Sequence, residues 1–513
     1  MGTTADLAQG KIRTLEELEP AIREEKNAGK RVIHCHGVFD LLHVGHIKHL
    51  QASRDLGDIL VVTITPDRYV NKGPHRPAFT ERLRAEALAA LSTVDYVAVN
   101  AWPSAVETIK LLRPHVFVKG FVRDGGQRDH TDAIEAEEEA IRSVGGQLML
   151  TDEETFSATN LINRNFDVFL PDAKAFLERF RQHHTAEEMT GRLQEIREMK
   201  VLAIGETIID EYVFCEVMGK ANKDPILAGR FLHSEKYGGG ILAIANHLAP
   251  FCDHVGLLSV LGEVDSQIDF ITTKLDGNVH AHFVRKPESP TIVKRRFLQD
   301  YMSIKLFEMY VMQNEQMSPS EEAVFCQKLK DLLPRYDVVV VADYGHGLFT
   351  ERTIDLLAER ARFLAVNAQT NAGNRGFNFI SRYPRADYIS IDEPEARLET
   401  RNQKADIKDL ILSISKKTSC KRLLVTRGKH GVCCYEEGQG FSEVPAFAVK
   451  VVDRLGAGDA VLAMTAPCAA LGLPMDVVGF IGNVAGAEAC GILGNKSGID
   501  RASFFRHITS LLK

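Results

Sequence analysis

The sequence lacks cysteine pairs of disulfide or metal-binding spacing, and it has no excess of positive charge. Its nine cysteines are scattered, and none belongs to a C-x-x-C pair, which favours reduced and mostly buried thiols in a cytoplasmic protein. The formal net charge of −7 excludes a globally basic surface. We therefore expect no nucleic-acid partner, although a local basic pocket for phosphates is compatible with this charge.

Long apolar runs are also missing. The most apolar stretch, at residues 460–475, is interrupted by Thr465 and Pro467 and followed by Asp476. Because a membrane span needs about 20 apolar residues, this stretch predicts a pair of buried helices. The first thirty residues are charged and helix-like, without the apolar core of a signal peptide. We expect a cytoplasmic protein that binds no membrane.

Short apolar runs alternate with amphipathic helical stretches along most of the 513 residues. Runs that are apolar at every position indicate strands buried on both faces, which is typical of parallel α/β sheets. The chain is too long for one ordinary core, and residues 173–199 are polar and helical. We predict two α/β domains, at residues 1–170 and 200–513, joined by a helical linker at residues 171–199. The predicted strands include residues 31–35, 59–65, 96–99, 116–118, 201–204, 255–260, 337–342, 363–366, 388–391 and 422–426.

The densest motif of the first domain, at residues 37–46, lies between a strand-like run and a helix. Glycines at such a turn let the backbone approach a phosphate, and the start of a helix favours negative charge. His43 and His46 are spaced so that both imidazoles can face one phosphate. Nucleotidyl transfer requires donors directed at the charge developing on the α-phosphate, so we predict that both are catalytic. The alternative is a pair of capping or surface histidines.

This motif, in which Gly37, Phe39, Asp40 and Gly45 accompany the histidines, resembles the nucleotidyltransferase superfamily. That superfamily contains glycerol-3-phosphate cytidylyltransferase and the adenylyltransferase half of bacterial heptose-activating enzymes. The resemblance covers residues 30–165 and implies a Rossmann-like domain with an HxGH site. Further nucleotide-binding candidates are Arg84 for triphosphate charge, Lys119 after a strand, Ser157 and Thr159 at a phosphate-binding turn, and the lysines Lys48 and Lys72.

The second domain has its strongest motif between Asp453 and Asp459, directly before an apolar helix. The small residues Gly456, Ala457 and Gly458 expose successive backbone N–H groups, which suit a transferring γ-phosphoryl group. Asp459 can take the proton of an attacking sugar hydroxyl, so we predict it as the catalytic base. A plain helix cap is the alternative for this residue.

Together with several matching segments in the same order, this motif resembles the PfkB/ribokinase family of carbohydrate kinases, from residue 200 to the C-terminus. The resemblance implies a ribokinase-like α/β domain that binds sugar at Asp210, Gly238 and Gly239. It implies nucleotide contacts at Thr426, Gly428, Gly431 and Asn483. Glu395 and Asp392 match an N-x-x-E motif that organises Mg²⁺ through water.

Several positions depart from the two family patterns. In the kinase domain Leu242 replaces a sugar-binding Asn, Leu455 replaces a Thr, and His346 replaces a Lys. Residues 367–369 replace a frequent D-P-K segment, and residues 121–124 open a longer loop than is usual in the transferases. Because the anion hole and the base are retained, we expect phosphoryl transfer with altered sugar contacts.

The two resemblances together match the bifunctional heptose 7-phosphate kinase and heptose 1-phosphate adenylyltransferase family, with the domains in reverse order. They imply phosphorylation of a sugar phosphate, heptose 7-phosphate at its anomeric hydroxyl, and nucleotidyl transfer to a sugar 1-phosphate, giving ADP-heptose and pyrophosphate. The expected cofactors and substrates are Mg²⁺, ATP and a second NTP, either ATP or CTP. Sugar phosphates and nucleotides are the expected partners. The sequence leaves the oligomeric state open, and a homo-oligomer is compatible with the resemblance because such kinases often dimerise.

Two other functions fit the same residues. The transferase could activate a polyol or other alcohol phosphate with CTP, with the kinase serving that alcohol. Alternatively, one domain could be a non-catalytic nucleotide-binding regulator of the other, and the departures make the kinase the stronger candidate for that role.

Overall fold

The computed structural model describes residues 10–70, 77–122, 132–153, 171–301, 304–374, 376–448 and 451–513. The chain divides into an N-terminal unit, Met1–Val168, and a C-terminal unit, Phe169–Leu512. In the ranges described, no helix is both long enough and apolar enough to cross a membrane.

The N-terminal unit contains a five-stranded parallel sheet in the order β3-β2-β1-β4-β5. Apolar residues of β1 and β2 are buried on both faces, as their composition predicts. The order reverses between β1 and β4, and such a switch point opens a crevice at the carboxyl ends of the strands. The strands are β1 (Val32–Gly37), β2 (Ile59–Ile64), β3 (Tyr96–Val99), β4 (Val116–Val122) and β5 (Gln147–Glu153). The helices are α1 (Leu15–Asn27), α2 (Val44–Arg54), α3 (Glu81–Ala89), α4 (Val106–Leu112) and α5 (Asp132–Ser143).

The C-terminal unit is organised around a nine-stranded sheet in the order β10-β9-β6-β13-β14-β15-β16-β17-β18. In this spatial order, each pair of neighbouring strands from β10 across to β16 is parallel, and β17 and β18 extend the sheet with antiparallel pairing. The strands are β6 (Lys200–Gly205), β9 (His254–Val264), β10 (Val279–Pro290), β13 (Val338–Asp343), β14 (Phe363–Ala368), β15 (Tyr388–Asp392), β16 (Arg422–Thr426), β17 (Val432–Glu436) and β18 (Gly440–Val444).

Helices cover this sheet, and several begin with a side chain that accepts from the backbone of the first turn. Ser318, Thr350 and Asp392 each form such a reciprocal cap. The helices after β6 are α8 (Ile241–Leu248), α9 (Ile268–Lys274), α10 (Pro319–Leu332), α11 (Glu351–Arg360), α12 (Glu393–Thr400), α13 (Ile407–Thr418), α14 (Ala457–Ala470), α15 (Met475–Cys490) and α16 (Arg501–Leu512). Most residues of α14 and α15 are buried, but the stretch 460–475, predicted as a pair of buried helices, contains residues 460–470 of α14 and only the first residue of α15.

A separate four-stranded sheet in the order β12-β11-β7-β8 completes the C-terminal unit. It is formed by β7 (Thr207–Lys220), β8 (Leu227–Gly240), β11 (Ile292–Gln299) and β12 (Ile304–Val311). The buried beginning of β7 and end of β8 lie beside the main sheet, whereas the first residues of β8 are largely exposed. We call this element the small sheet.

The segment predicted as a linker is helical but belongs to the C-terminal unit. Its helices α6 (Pro171–Phe180) and α7 (Ala186–Glu195) bury Phe176, Leu177 and Leu193 in the main hydrophobic core of that unit. The polar composition of the segment reflects only the outer faces of these helices. Arg181 also donates two hydrogen bonds to the carbonyl of Leu511 in α16. The segment is therefore a packed part of the kinase-like unit.

Candidate functional sites

The two predicted catalytic histidines lie side by side where β1 is followed by α2. His43 is the N-cap of α2 and His46 lies in its first turn, and their rings stack with centroids 3.9 Å apart. Phe39 has a positive φ of 48° and packs its ring edge against His46, with centroids 5.3 Å apart. A Cβ at Gly37 would lie 3.1 Å from the Phe39 ring, so glycine permits this turn. The geometry directs two imidazoles and a helix N-terminus toward one region.

The side chains of Asp40 and Lys119 are held by bonds within the protein. The Asp40 carboxylate is buried and accepts from the backbone nitrogens of Ala78 and Phe79, at 2.6 and 3.2 Å. Lys119, in β4, forms an ion pair with the buried Glu137. Gly45 is buried in the first turn of α2, and Lys48 is exposed one turn further along. Lys72, Ser157 and Thr159 lie outside the described residues, so their predicted roles stay predictions.

The Arg84 guanidinium is fully buried and bonded within the protein. It donates to the carbonyls of Phe79, Val38 and Thr65 and to the Asp67 carboxylate. Four of its five N–H groups are thereby directed at acceptors within the protein. In this structure Arg84 holds the loops after β1 and β2, and its predicted contact with the triphosphate stays a prediction.

We predict that Arg84→Ala lowers the free energy of unfolding of the N-terminal unit by roughly 2–4 kcal/mol, because buried acceptors lose a charged donor. Trp102 is the single tryptophan of the chain and lies in this unit, so its fluorescence in a urea titration reports the change. A matched Arg82→Ala variant, at an exposed position of the same helix, should unfold like the wild type. If Arg84→Ala left the stability unchanged and raised the KM for NTP, the result would instead support a nucleotide-binding role for Arg84.

Sequence reasoning missed His36, which ends up at the carboxyl end of β1 beside the motif. Its Nδ1 lies 2.9 Å from Thr63 Oγ1 and its Nε2 lies 3.2 Å from Thr65 Oγ1. Burial, with a smaller contribution from Lys119, lowers the pKa of His36 to about 4, so the ring is neutral at physiological pH. Its position at the end of a strand-like run, directly before Gly37, is a signal in the sequence, although His36 lies outside the H-x-G-H spacing.

In the C-terminal unit, the predicted base lies in a cavity of about 250 Å³ between the small sheet and the carboxyl ends of β13 to β16. The Asp459 carboxylate is buried in the first turn of α14. Tyr344 Oη and Gln369 Nε2 each donate to its Oδ1, at 3.0 Å. Burial raises the pKa of Asp459 to about 7. A carboxyl with this pKa can gain and lose a proton near neutral pH, as a general base requires.

The predicted anion hole lies at the N-terminus of α14. Gly456 is the N-cap, with a φ of 79°, and Ala457 begins the helix. A Cβ at Gly456 would lie 2.0 Å from Asn495 Oδ1, so only glycine fits this turn. Gly456 and Gly458 both line the cavity. The exposed N–H groups of this turn and the helix dipole favour an anionic group beside Asp459.

The predicted sugar residue Asp210 lies across the cavity from the anion hole. Asp210 is buried in β7, and its two carboxylate oxygens accept from Arg296 and Asn495, at 2.5 and 3.2 Å. Gly239, in the paired strand β8, leaves room for Asp210, because a Cβ there would lie 2.0 Å from Asp210 Oδ2, whereas a Cβ at Gly238 would lie 3.3 Å from Leu242 Cβ. Leu242, which replaces a sugar-binding Asn, is completely buried in α8.

Asp392 and Glu395 cap α12 at the edge of the same cavity. Asp392 accepts from the Glu395 nitrogen at 2.7 Å, and Glu395 accepts from the nitrogens of Asp392 and Thr370, at 2.8 and 3.0 Å. Burial and the neighbouring Asp392 raise the pKa of Glu395 to about 8. A negative charge on one of these two adjacent carboxyl groups disfavours a second charge on the other. Their oxygens face the cavity and are the hard donors that Mg²⁺ prefers, so the pair fits Mg²⁺ held through water. When bound, Mg²⁺ would neutralise phosphate charge there.

Of the four residues predicted to contact the nucleotide, Thr426 lines the cavity, and Gly431 and Asn483 meet at one backbone carbonyl. Thr426, at the end of β16, lines the cavity. Gly428 and Gly431 flank a tight turn with φ of 55° and 77°, and a Cβ at Gly431 would lie 2.0 Å from the Val444 carbonyl. The buried Asn483 side chain donates to that same carbonyl at 3.1 Å. Gly431 and Asn483 therefore both lie where β17 begins and β18 ends, against the Val444 carbonyl.

Several cavity residues were not predicted as site residues: Lys294, Arg296 and Asn495 are distant in sequence from the motifs, whereas the others lie within or beside segments already described without having been assigned a role. The whole set comprises the basic side chains Lys294, Arg296 and Arg454 and the polar side chains Tyr344, Asn367, Gln369 and Asn495. Lys294 and Arg296 are buried in β11. In the parallel pairing of β11 with β7, Lys294 lies directly opposite Asp210. This pairing, which no local pattern indicates, gives the cavity its basic wall.

Comparison with known proteins identifies both units. The family model described as pfkB family carbohydrate kinase matches residues 198–500, and the one described as Cytidylyltransferase-like matches residues 34–170. Such kinases and nucleotidyltransferases generally use ATP and Mg²⁺. These assignments agree with the two α/β domains that the sequence predicted.

Individual relatives match over shorter stretches. The protein named Bifunctional protein HldE of Syntrophotalea carbinolica is 41% identical over 160 residues, 31% of this chain and 31% of its own. That of Citrifermentans bemidjiense is 44% identical over 122 residues, 23% of this chain and 25% of its own. Thus the matched region spans about a third or less of each relative. Phosphofructokinase-2 of Escherichia coli, solved with potassium, aligns with 62% of this chain and 100% of its own at 15% identity and a TM-score of 0.49.

Proposed function

Since the chain belongs to the pfkB family of carbohydrate kinases through residues 198–500, we propose that its C-terminal unit transfers the γ-phosphoryl group of ATP to a sugar hydroxyl. The observation that carries this proposal is the position of Asp459 beside the N-terminus of α14, inside one cavity with Asp210. Asp459 accepts the hydroxyl proton while the turn at Gly456 and Gly458 binds the transferring group. Asp210 holds the sugar, and Asp392 and Glu395 hold Mg²⁺ through water.

The acceptor that we propose is itself a phosphate ester. Lys294 is buried, and burial lowers its pKa, which means that its charge is poorly solvated. Its nitrogen lies over the rings of Tyr310 and Tyr344, 5.1 and 5.9 Å from their centroids. An entering phosphate would supply an anionic partner, and Arg296 and Arg454 line the same cavity. Arg296 is already paired with Asp210, so the entering phosphate would be the anionic ligand of Lys294 and Arg454. Heptose 7-phosphate, which the family resemblance implies, fits this description.

We assign to the N-terminal unit the transfer of a nucleotidyl group from ATP, or from CTP, to a sugar 1-phosphate with release of pyrophosphate. The stacked His43 and His46 at the start of α2 support this assignment, as does the cytidylyltransferase-like match at residues 34–170. A kinase that phosphorylates the anomeric hydroxyl makes the type of acceptor that such a transferase requires. The whole chain would therefore be a bifunctional sugar-activating enzyme, and the relatives named bifunctional support this reading.

The two activities are best tested separately. The product of the proposed kinase step, heptose 1,7-bisphosphate, carries one phosphate more than heptose 1-phosphate, the proposed acceptor of the transferase. With Mg²⁺ and ATP, we expect ADP formation with heptose 7-phosphate and at least tenfold lower kcat/KM with unphosphorylated heptose. Lys294→Met should reduce this preference. With four NTPs and a panel of sugar 1-phosphates, we expect pyrophosphate release with heptose 1-phosphate and ATP.

Other results of this matrix would replace parts of the proposal. Pyrophosphate release only with CTP and glycerol phosphate would establish an alcohol-phosphate cytidylyltransferase instead. Nucleotide binding by one unit without turnover on any acceptor would make that unit a regulator. Equal kinase activity on phosphorylated and unphosphorylated sugars would show that the basic wall does not select the acceptor.

A further inference from the structure

The Asp459 carboxylate has two oxygens, and both described side-chain donors bond to the same one. Tyr344, after β13, and Gln369, after β14, each donate to Oδ1 at 3.0 Å. We propose that Tyr344 and Gln369 are positioning residues of the kinase: they occupy Oδ1 of Asp459 and leave Oδ2 to receive the proton of the attacking hydroxyl. This inference rests on the proposed kinase activity of the C-terminal unit and assigns how its base is oriented.

The division between the two oxygens has a direct chemical consequence. The acceptor hydroxyl oxygen forms a bond to the γ-phosphorus, and its proton passes to Oδ2 of Asp459. The bond between the γ-phosphorus and the bridging oxygen breaks, and the electron pair leaves with ADP. Throughout the step Oδ1 keeps both donors, so the carboxylate cannot rotate to present a different lone pair. A base fixed in this way needs little reorganisation at the moment of transfer.

The two donors are themselves fixed by one asparagine-rich loop. Asn371 Nδ2 donates to the Tyr344 carbonyl at 2.6 Å. Asn374 Nδ2 donates to the carbonyls of both Tyr344 and Gln369, at 3.1 and 2.9 Å. The backbone of Tyr344 is also held because its nitrogen donates to Glu206 at 3.0 Å. Because β13 and β14 are adjacent parallel strands, this loop locks the residues that follow both of them.

The groups that face Asp459 determine how its proton affinity responds to the two donors. Burial raises the pKa of Asp459, and the nearby charge of Asp210 in β7 raises it further. The hydrogen bonds from Tyr344 and Gln369 lower the pKa, as does the positive charge of Lys294 in β11. The Tyr344 hydroxyl stays protonated because its own pKa is well above the usual value. Removing either donor therefore makes the carboxylate harder to ionise near neutral pH.

The test is a ¹³C NMR titration of the full chain labelled at the aspartate carboxyl carbons, with the Asp459 signal assigned from its loss in Asp459→Asn. In Gln369→Met and in Tyr344→Phe we expect the pKa of Asp459 to rise by about one unit. The acidic limb of the kinase pH–rate profile should move upward by the same amount. A uniform loss of rate at every pH is what a purely structural role would give.

The matched control is Tyr388→Phe, which removes a buried tyrosine hydroxyl that donates to Thr465 in the same unit. The pKa of Asp459 should not change in this variant. An unchanged pKa in both Gln369→Met and Tyr344→Phe would overturn the proposal. If Tyr344→Phe does not fold, Gln369→Met decides alone, because Gln369 is only partly buried. The titration needs no substrate, so failure of the proposed kinase activity is detected separately, as a wild-type protein that titrates but does not turn over.

Discussion

Asp459→Asn is expected to reduce kinase turnover by roughly 10²- to 10⁴-fold, the contribution typical of a general base. The change keeps the size of the side chain but removes its ability to take a proton from the sugar hydroxyl. Tyr344 and Gln369, the two donors to Oδ1, can still donate to the amide oxygen of Asn, so the fold around α14 should persist. The measurement is kcat for ADP formation with ATP and heptose 7-phosphate, alongside pyrophosphate release by the transferase, which should be nearly unchanged.

The competing explanation is that Asp459 merely stabilises the start of α14, and a second variant separates the two. Asp406 is the N-cap of α13, and its carboxylate accepts from the Lys408 nitrogen at 2.9 Å. Because Asn caps a helix about as well as Asp, Asp406→Asn should leave kinase turnover at the wild-type level. Wild-type turnover in Asp459→Asn as well would show that Asp459 acts only at the helix start.

The parallel strands could be predicted from the sequence because they are buried on both faces. All ten predicted strands lie within or overlap observed strands, from β1 to β16. The run Val338 to Val341 illustrates the reason, since every one of its side chains is buried. A central strand with helices on both sides requires apolar residues at every position. Such a run can be recognised in the sequence even when the neighbouring strands and helices are not known.

The small sheet was not predicted because its strands are half-exposed and charged. In β8, most positions between Leu227 and Ser234 are exposed, and Arg230 and His233 interrupt the apolar residues. The strands β11 and β12 carry lysine and arginine at positions that in a central strand would be apolar. The conformation of β11 is fixed by pairing with β7 and β12, and that of β12 by pairing with β11, rather than by their own composition, so no local pattern identifies them.

The candidate sites divide in a similar way. Asp459 and Gly456 were predictable because a helix N-terminus and a tight glycine turn are properties of a short segment. Lys294 was not, because it becomes a site residue only by lying opposite Asp210 across β7 and β11. For Arg84 the sequence indicates a cation near the nucleotide, but it does not show that backbone carbonyls already accept from several of its N–H groups. Side-chain partners that are distant in sequence decide both cases.

His46→Ala should abolish most nucleotidyl transfer, with a loss of roughly 10²- to 10³-fold in kcat, the cost of removing one donor from a site that stabilises developing charge. His46 stacks on His43 at 3.9 Å between ring centroids and is also packed by Phe39. Removing it takes away one imidazole and releases the other from its fixed orientation. The readout is pyrophosphate release from ATP and heptose 1-phosphate, with kinase activity measured on the same preparation and expected to be unchanged.

The control for this last variant must remove an imidazole from the same helix without touching the predicted site. His49, one turn further along α2, is buried, and its Nδ1 lies 2.6 Å from Thr151 Oγ1. His49→Ala should lower the stability of the N-terminal unit, as reported by Trp102 fluorescence, while the folded fraction retains nucleotidyl transfer. His46→Ala should do the reverse, because His46 is less buried and lies in the first turn. If both variants lost nucleotidyl transfer only in proportion to their unfolded fraction, His46 would serve helix stability alone. Full nucleotidyl transfer in His46→Ala would exclude the histidine pair from the mechanism.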